Sequence, residues 1–250
     1  MKRAAFVLLT MLVVGFVCLV AGCVSSGKAA LLSQRDPIAL VSVVSNWDIN
    51  WKDEEPTDPS IVNPLVSPTT RRAQREDPDL TTVSNAEELI NTAELSIRDT
   101  MAGSGLINLA EKDTVLLSRA YQEARLNRYQ INREDVYPEG YRLVDYRDKN
   151  FPPALAAETG IQRSMFVEFI FTKSMYSGFG KSGNCGAEVD MRVLILDARG
   201  RTLYNKTVSA GSRSSIKVSS GMYSQNGLAG LFDSAISDAC YEFLYQLEDY

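Results

Sequence analysis

The sequence predicts an α/β (α+β) fold with a single mixed β-sheet on which helices pack, preceded by a signal peptide. Three patterns indicate this architecture. Apolar residues alternate with period two near 38–51 and 187–197, a capping box opens an amphipathic helix near residue 84, and an apolar stripe runs along 228–247. Because strands and helices are interspersed along the chain, one sheet covered by helices accounts for the order better than two separate domains do.

The composition is that of an ordinary globular protein. The 250 residues are 45% hydrophobic and 23% charged, which excludes a fully disordered chain. There are 26 lysines and arginines against 31 aspartates and glutamates, a formal charge of −5 that argues against nucleic-acid binding. The sequence has no histidine. Ser-His-Asp and Cys-His catalysis and histidine-ligated zinc or haem are therefore excluded.

Residues 1–22 have the features of a lipoprotein signal peptide. Lys2 and Arg3 form a positive n-region, and the apolar run over 6–20 is too short for a comfortable membrane span. The run leads into Val-Ala-Gly-Cys, ending at Cys23, which resembles the lipobox of bacterial lipoproteins. This resemblance implies that Cys23 receives a diacylglyceryl group and becomes the mature amino terminus. The alternative is an uncleaved anchor helix with a chance cysteine at its edge.

Lipidation of Cys23 predicts a protein that is held on a membrane outside the cytoplasm. Each buried CH₂ of an acyl chain adds about 0.8 kcal/mol of membrane affinity. Residues 23–36 then form a lipidated tether. The lipidated cysteine is followed by Val24 and not by aspartate, and in enterobacterial-type sorting this resemblance implies release to the outer membrane. We therefore expect a protein anchored by lipid to the bacterial outer membrane and facing the periplasm, where disulfides persist.

The domain predicted over 37–250 begins with a long extended segment. Apolar side chains alternate from Ile38 onward, which places Trp47 and Trp51 on one face of a strand. Residues 52–83 then carry five prolines and no periodicity, which predicts a long loop. The elements expected after this loop are helices over about 84–103, 114–126 and 151–160, a short strand at 106–109 and an irregular stretch at 127–150.

The second half of the domain has the strongest β pattern. Strands are predicted at about 164–176 and 187–197, and a third strand returns over 202–209 after a turn. Glycines between the first two strands are expected to form a flexible connection. The last helix is expected to place one apolar stripe against the sheet, formed by Leu228, Phe232, Ala235, Ile236, Ala239, Phe243 and Leu247.

The segment around Gly180-Lys181-Ser182 matches a phosphate-binding loop only in part. Met175 occupies the position where that motif requires its first glycine, and the segment joins two strands instead of opening a helix. The acidic runs at 53–55 and 133–135 lack the spacing of a calcium loop. We therefore expect no nucleotide, no other cofactor and no metal.

Two cysteines remain in the mature domain, because Cys18 leaves with the signal peptide and Cys23 is lipidated. Cys185 lies in the glycine-rich connection and Cys240 lies on the last helix. In an oxidising compartment this pair could form a disulfide. The alternative is two separate buried thiols.

The order of elements resembles that of a known group of proteins. The strand after a lipidated tether, the capped helix, the hairpin at Val193–Val208 and the apolar last helix are similar to envelope α/β lipoproteins. The domain of that group relates to the amino-terminal domain of TolB, the lipoprotein activator of penicillin-binding proteins and the curli-secretion lipoprotein. The resemblance covers about 38–247 in element order only, and it implies a non-enzymatic adaptor that docks to envelope proteins.

We therefore expect a non-catalytic binding or scaffolding module that uses Trp47 and Trp51 to dock to another envelope protein. The same two tryptophans could instead complete the core beneath the loop. A hydrolase that uses carboxylates is the alternative from another class, and a concave pocket with convergent acidic side chains would distinguish it. A secretion-channel component is a third hypothesis, although the chain has no spare pair of long amphipathic hairpins for a pore.

Overall fold

The computed structural model describes residues 36–52, 86–179, 182–219 and 223–248. Six strands form one mixed sheet with helices packed against it, which confirms the predicted fold class. Several predicted features lie outside the described residues: the signal peptide, Cys23, nearly all of the tether, the loop from residue 53 and the cap at Ser84. In chain order, the elements are β1 (Ile38–Ser45), β2 (Asn50–Trp51), α1 (Ala86–Ser104), α2 (Lys112–Leu116), α3 (Arg119–Gln122), α4 (Arg128–Asn132), α5 (Phe151–Thr159), β3 (Arg163–Phe179), β4 (Ser182–Asp197), β5 (Thr202–Gly211), β6 (Ile216–Val218) and α6 (Gln225–Glu248).

The sheet is built around the long hairpin of β3 and β4. These strands pair antiparallel along their whole length, about 50 Å at the usual rise per residue. β1 lies parallel to β3 on one side, and β5 lies antiparallel to β4 on the other, so the order is β1-β3-β4-β5. Towards the tip of the hairpin, the short strand β2 continues along β3 and β6 continues along β4. The strands that position the site described below therefore lie near the tip.

The flexible glycine-rich connection expected between the first two strands is wrong for Gly178, Gly183 and Gly186, because the structure places them in β3 and β4; residues 180 and 181 lie outside the described residues. Gly178 pairs with Gly183 near the tip of the hairpin. Their φ angles are +122° and +157°, and a Cβ atom on either would lie 2.2 or 1.9 Å from backbone oxygen of the opposite strand. Glycine is required here because only a residue without Cβ allows this approach.

Helices α1 and α6 cover one face of the sheet. The ring of Phe232 on α6 meets that of Phe171 on β3 edge-to-face at 5.6 Å, and Phe243 meets Tyr204 on β5 at 5.5 Å. These contacts fix α6 over the centre of the sheet. The stripe predicted for the last helix is confirmed, since all seven residues are buried. The apolar positions of α1 are also buried: Ala86, Leu89, Ile90, Ala93, Ile97 and Met101.

The segment from 107 to 160 covers part of the opposite face. Phe166 on β3 lies between Tyr146 and Phe151, with ring centroids 6.3 Å apart in both pairs. The strand expected at 106–109 is reduced to one bridge between Leu109 and Ile38. Helix α5 ends as predicted at Gly160, in the left-handed conformation with φ +77°.

The single helix expected over 114–126 is replaced by two short helices, α2 and α3. Ser118 separates them, because its hydroxyl accepts a hydrogen bond from the backbone N–H of Tyr121 and so starts a new helix. Asn127 caps α4 in the same way, inside the stretch expected to be irregular. Local capping by short polar side chains therefore divides this region more finely than its apolar spacing indicates.

A buried polar network attaches α1 to the covering segment. The carboxylate of Glu94 accepts hydrogen bonds from Arg98 Nε at 2.5 Å and from the Tyr141 hydroxyl at 3.0 Å, and Lys112 Nζ lies 3.7 Å away. Arg98 also donates to the Tyr141 hydroxyl at 2.8 Å. Burial lowers the pKa of Arg98, but the hydrogen bonds to Glu94 and Tyr141 outweigh this effect and raise it overall. The network therefore attaches the middle of α1 to the segment that carries Lys112 and Tyr141.

Candidate functional site

The two tryptophans selected from the sequence lie at the junction of β1 and β2. The single strand expected over 38–51 is wrong, because β1 ends at Ser45 and the chain bends at Trp47 before β2 begins. Asn46 causes the break: its side-chain amide donates to the carbonyl of Phe171 at 3.0 Å, and its oxygen accepts from the same residue's N–H at 2.8 Å. A side chain thus replaces the backbone in the ladder. Both tryptophans are partly buried and pack against the core.

Trp51 forms a compact cluster with Lys173 of β3 and Tyr223, which precedes α6. The Nζ atom of Lys173 lies 5.1 Å from the centroid of the Trp51 ring and 5.8 Å from that of Tyr223. The two rings meet edge-to-face with centroids 6.2 Å apart. Lys173 is only 5% exposed, and its ammonium group lies 3.5 Å from the Tyr223 hydroxyl. Two aromatic faces therefore help to stabilise a buried positive charge.

Strand register positions this Trp51–Lys173–Tyr223 cluster. β2 pairs in parallel with β3, which places Trp51 directly beside Lys173. The backbone N–H of Lys52 donates to the carbonyl of Lys173 at 2.8 Å, and the side chain of Lys52 forms an ion pair with Glu188 at 2.5 Å. The cluster is thus held by β2, β3 and β4 together. Its aromatic rings have a fixed orientation at the end of the sheet nearest the hairpin tip.

Sequence reasoning selected Trp51 but missed Lys173 and Tyr223. The three residues are far apart in the chain, so no local motif connects them. One signal was available. Lys173 lies on the same face of β3 as the apolar residues Val167, Phe169 and Phe171, where a buried charge requires a partner. Trp47 and Trp51 do not lie on one continuous strand, because the bend at Trp47 separates β1 from β2.

Cys185 belongs to the same neighbourhood. It lies on β4 two residues from Ala187, the strand partner of Lys173, and it is fully buried. Burial raises the pKa of its thiol, against the opposing effect of the charge on Lys173. Burial, and then the nearby Cys185, raise the pKa of Tyr223. The thiol and the phenol are therefore held in their neutral forms beside the lysine.

The disulfide expected between Cys185 and Cys240 is not formed, and both residues are free, buried thiols. Gly227, at the start of α6, packs against Ile216, the strand partner of Cys185. Cys240 lies 13 residues further along that helix, which is about 20 Å. A disulfide requires the Cα atoms to be within about 7 Å. Burial raises the pKa of Cys240 to about 12.

The acidic side chains around Glu168 belong to a separate structural network. Glu168 lines a cavity of about 20 Å³ beside Tyr146 and Arg192, room for one water molecule. Its carboxylate pairs with Arg133 at 2.7 Å, and Arg133 also binds the fully buried carboxylate of Asp135 at 2.6 Å. These contacts attach the 133–135 turn to β3.

Among the described residues, no group of three or more His, Cys, Asp or Glu side chains could hold a metal, and no helix is long and apolar enough to cross a membrane.

Comparison with known proteins gives similar solved structures, of which two are described below. No family model matches the chain, and no curated protein matches it by sequence. A hypothetical protein CT253 from Chlamydia trachomatis is 10% identical with a TM-score of 0.34, over 86% of this chain and 97% of that one. Lipoprotein GNA1162 from Neisseria meningitidis is 13% identical with a TM-score of 0.30, over 82% and 99%. The resemblance to the TolB amino-terminal group stays a prediction.

Proposed function

We propose that this protein is a lipid-anchored binding module of the bacterial cell envelope, on the outer membrane and facing the periplasm. It docks to another envelope protein, without catalysis, through the surface around Trp51. The observation that carries the docking surface is the Trp51–Lys173–Tyr223 cluster, in which a partly buried tryptophan is held rigidly by a buried cation and a second ring. A pre-ordered aromatic side chain loses little conformational entropy on binding, which makes it an effective anchor for a partner.

The position of the cluster relative to the tether supports this proposal. The first described residue is Asp36, whose carbonyl accepts a hydrogen bond from the buried Arg163. Ile38 pairs with Arg163 as well, so the tether joins the sheet at this end. Trp51 pairs with Lys173, ten residues further along β3, which is about 33 Å away. A lipid on Cys23 would therefore anchor the end of the sheet that lies opposite to Trp51. In this proposal the partner approaches Trp51 from the side of the sheet away from the tether.

Position-specific crosslinking in the native envelope tests the docking surface. A photo-reactive residue at Lys52, whose side chain is 59% exposed beside Trp51, should yield a discrete crosslinked partner. The same photo-reactive residue placed at the exposed position Arg199, in the turn at the tether end of the sheet, should yield no crosslinked partner. Because the Lys52–Glu188 pair is solvent-exposed, its loss should have little effect on folding.

The Trp51→Ala variant then tests the side chain itself. We expect the Lys52 crosslink to fall by about tenfold, because an anchor residue contributes 1–2 kcal/mol or more to binding. Tyr245→Ala, which removes an exposed ring on α6, is the matched control and should leave the crosslink unchanged. A thermal melt of each variant checks that the domain is folded. Equal crosslinking from Arg199, or an undiminished crosslink in folded Trp51→Ala protein, would contradict the proposal.

A further inference from the structure

Helices α1 and α6 leave an open groove between them on their solvent side. Its volume is about 380 Å³, within the usual range of small-molecule sites. The groove exists because the residues facing it are small: Ser96, Gly103 and Ser104 on α1 and Ser237 on α6. Nothing in the docking surface around Trp51 uses this space.

The groove has a distinctive chemistry. Asp99 is its one charged lining residue, and within the described part of the chain its carboxylate enters no ion pair. Tyr241 borders the same space and is 61% exposed. The hydroxyl groups of Ser96 and Ser237 add further hydrogen-bond acceptors. Within the described part of the chain, a carboxylate, an aromatic side chain and hydroxyl oxygens thus line the groove, and no lysine or arginine does.

We propose that this groove binds a primary alkylammonium group. An ammonium has three N–H donors and no acceptor, so it can donate to Asp99 and to the serine hydroxyls at once. Its charge is attracted to the face of an aromatic ring such as Tyr241. The formal charge of −5 on the chain favours the approach of a cation. The ammonium comes either from a free diamine or from a lysine side chain, and this inference is independent of the docking surface.

Two glycines allow a matched test. A Cβ atom at Gly103 would meet nothing within 4 Å, so leucine there would project into the groove without displacing the helix. Gly230 on α6 is equally unobstructed but does not line the groove. Leucine favours helix over glycine at both positions. Gly103→Leu therefore fills the groove, and Gly230→Leu is its control for folding.

Binding is measured by calorimetric titration of the purified full-length protein in detergent. The probes are cadaverine, lysine blocked at both ends, and blocked norleucine as the neutral analogue. We expect saturable binding of at least one amine and none of norleucine. Affinity should fall about fivefold or more in Asp99→Asn, consistent with one lost Coulomb contact. It should vanish in Gly103→Leu and persist in Gly230→Leu.

The two amines identify the source of the ammonium group. Comparable affinities for cadaverine and blocked lysine would indicate that the natural ligand is a free amine, because the groove then recognises only the ammonium and its alkyl chain. Tighter binding of blocked lysine would assign a protein side chain, because its amides then contribute. The proposal is overturned if neither amine gives saturable binding, if norleucine binds as well as lysine, or if Asp99→Asn binds like the wild type.

Discussion

Replacing Phe232 with alanine should lower the free energy of unfolding by about 3–5 kcal/mol. This ring is fully buried at the centre of the α6 stripe and meets Phe171 edge-to-face at 5.6 Å. Its removal forfeits the transfer free energy of the ring and leaves a cavity that the strands below can only partly close. Urea denaturation followed by circular dichroism measures the loss. Removing the whole helix by truncation at Gly227 should give insoluble or molten protein.

Tyr245→Ala on the same helix is the control for this measurement. Its ring is 63% exposed, so we expect a change within about 0.5 kcal/mol. If Phe232→Ala lost less than about 1 kcal/mol, α6 would be peripheral to the core and not its cover. A truncated chain that unfolds cooperatively would lead to the same conclusion.

Glu94→Ala should cost about 3 kcal/mol of stability, the lower end of the range for breaking a buried ion pair. The side chain of Glu94 is 5% exposed, and its loss leaves Arg98 and the Tyr141 hydroxyl without their shared acceptor. The lower end applies because Arg98 and Lys112 both reach solvent in part and can recover some hydration. The same urea titration measures the effect.

Glu87→Ala is the matched control, since Glu87 is an exposed carboxylate in the first turn of the same helix. We expect this variant to lose about 0.3–1 kcal/mol, the usual contribution of an acidic side chain near a helix N-terminus. Equal losses for the two variants would show that the Glu94 network does not stabilise the domain beyond an ordinary surface charge.

Helices whose apolar face can be identified within one element were predictable from the sequence. The stripes of α1 and α6 and the end of α5 at Gly160 follow from local spacing and capping, and the structure confirms them. Elements that depend on a distant partner were not predictable. Gly178 and Gly183 are typical of a loop when considered singly, and only their pairing across the hairpin makes them strand residues.

The candidate site shows the same division. Trp51 could be selected because tryptophan is enriched where a partner or an adjacent element covers an apolar surface, but Lys173 and Tyr223 reach it only through the β2–β3 register and the start of α6. The break at Asn46 depends on a side chain that pairs with Phe171, 125 residues away. The groove between α1 and α6 had no sequence signal, because small residues on two separate helices create it.

The anchoring of the domain at Cys23 is the central claim, and the mass of the mature amino terminus tests it most directly. Protein purified from membranes of cells fed labelled palmitate should begin at Cys23, lack residues 1–22 and carry diacylglyceryl mass and label on that residue. Cys23→Ser protein should incorporate no label. A wild-type chain that begins at Met1 with an unmodified Cys23, or a Cys23→Ser chain labelled at the wild-type level, would contradict the account.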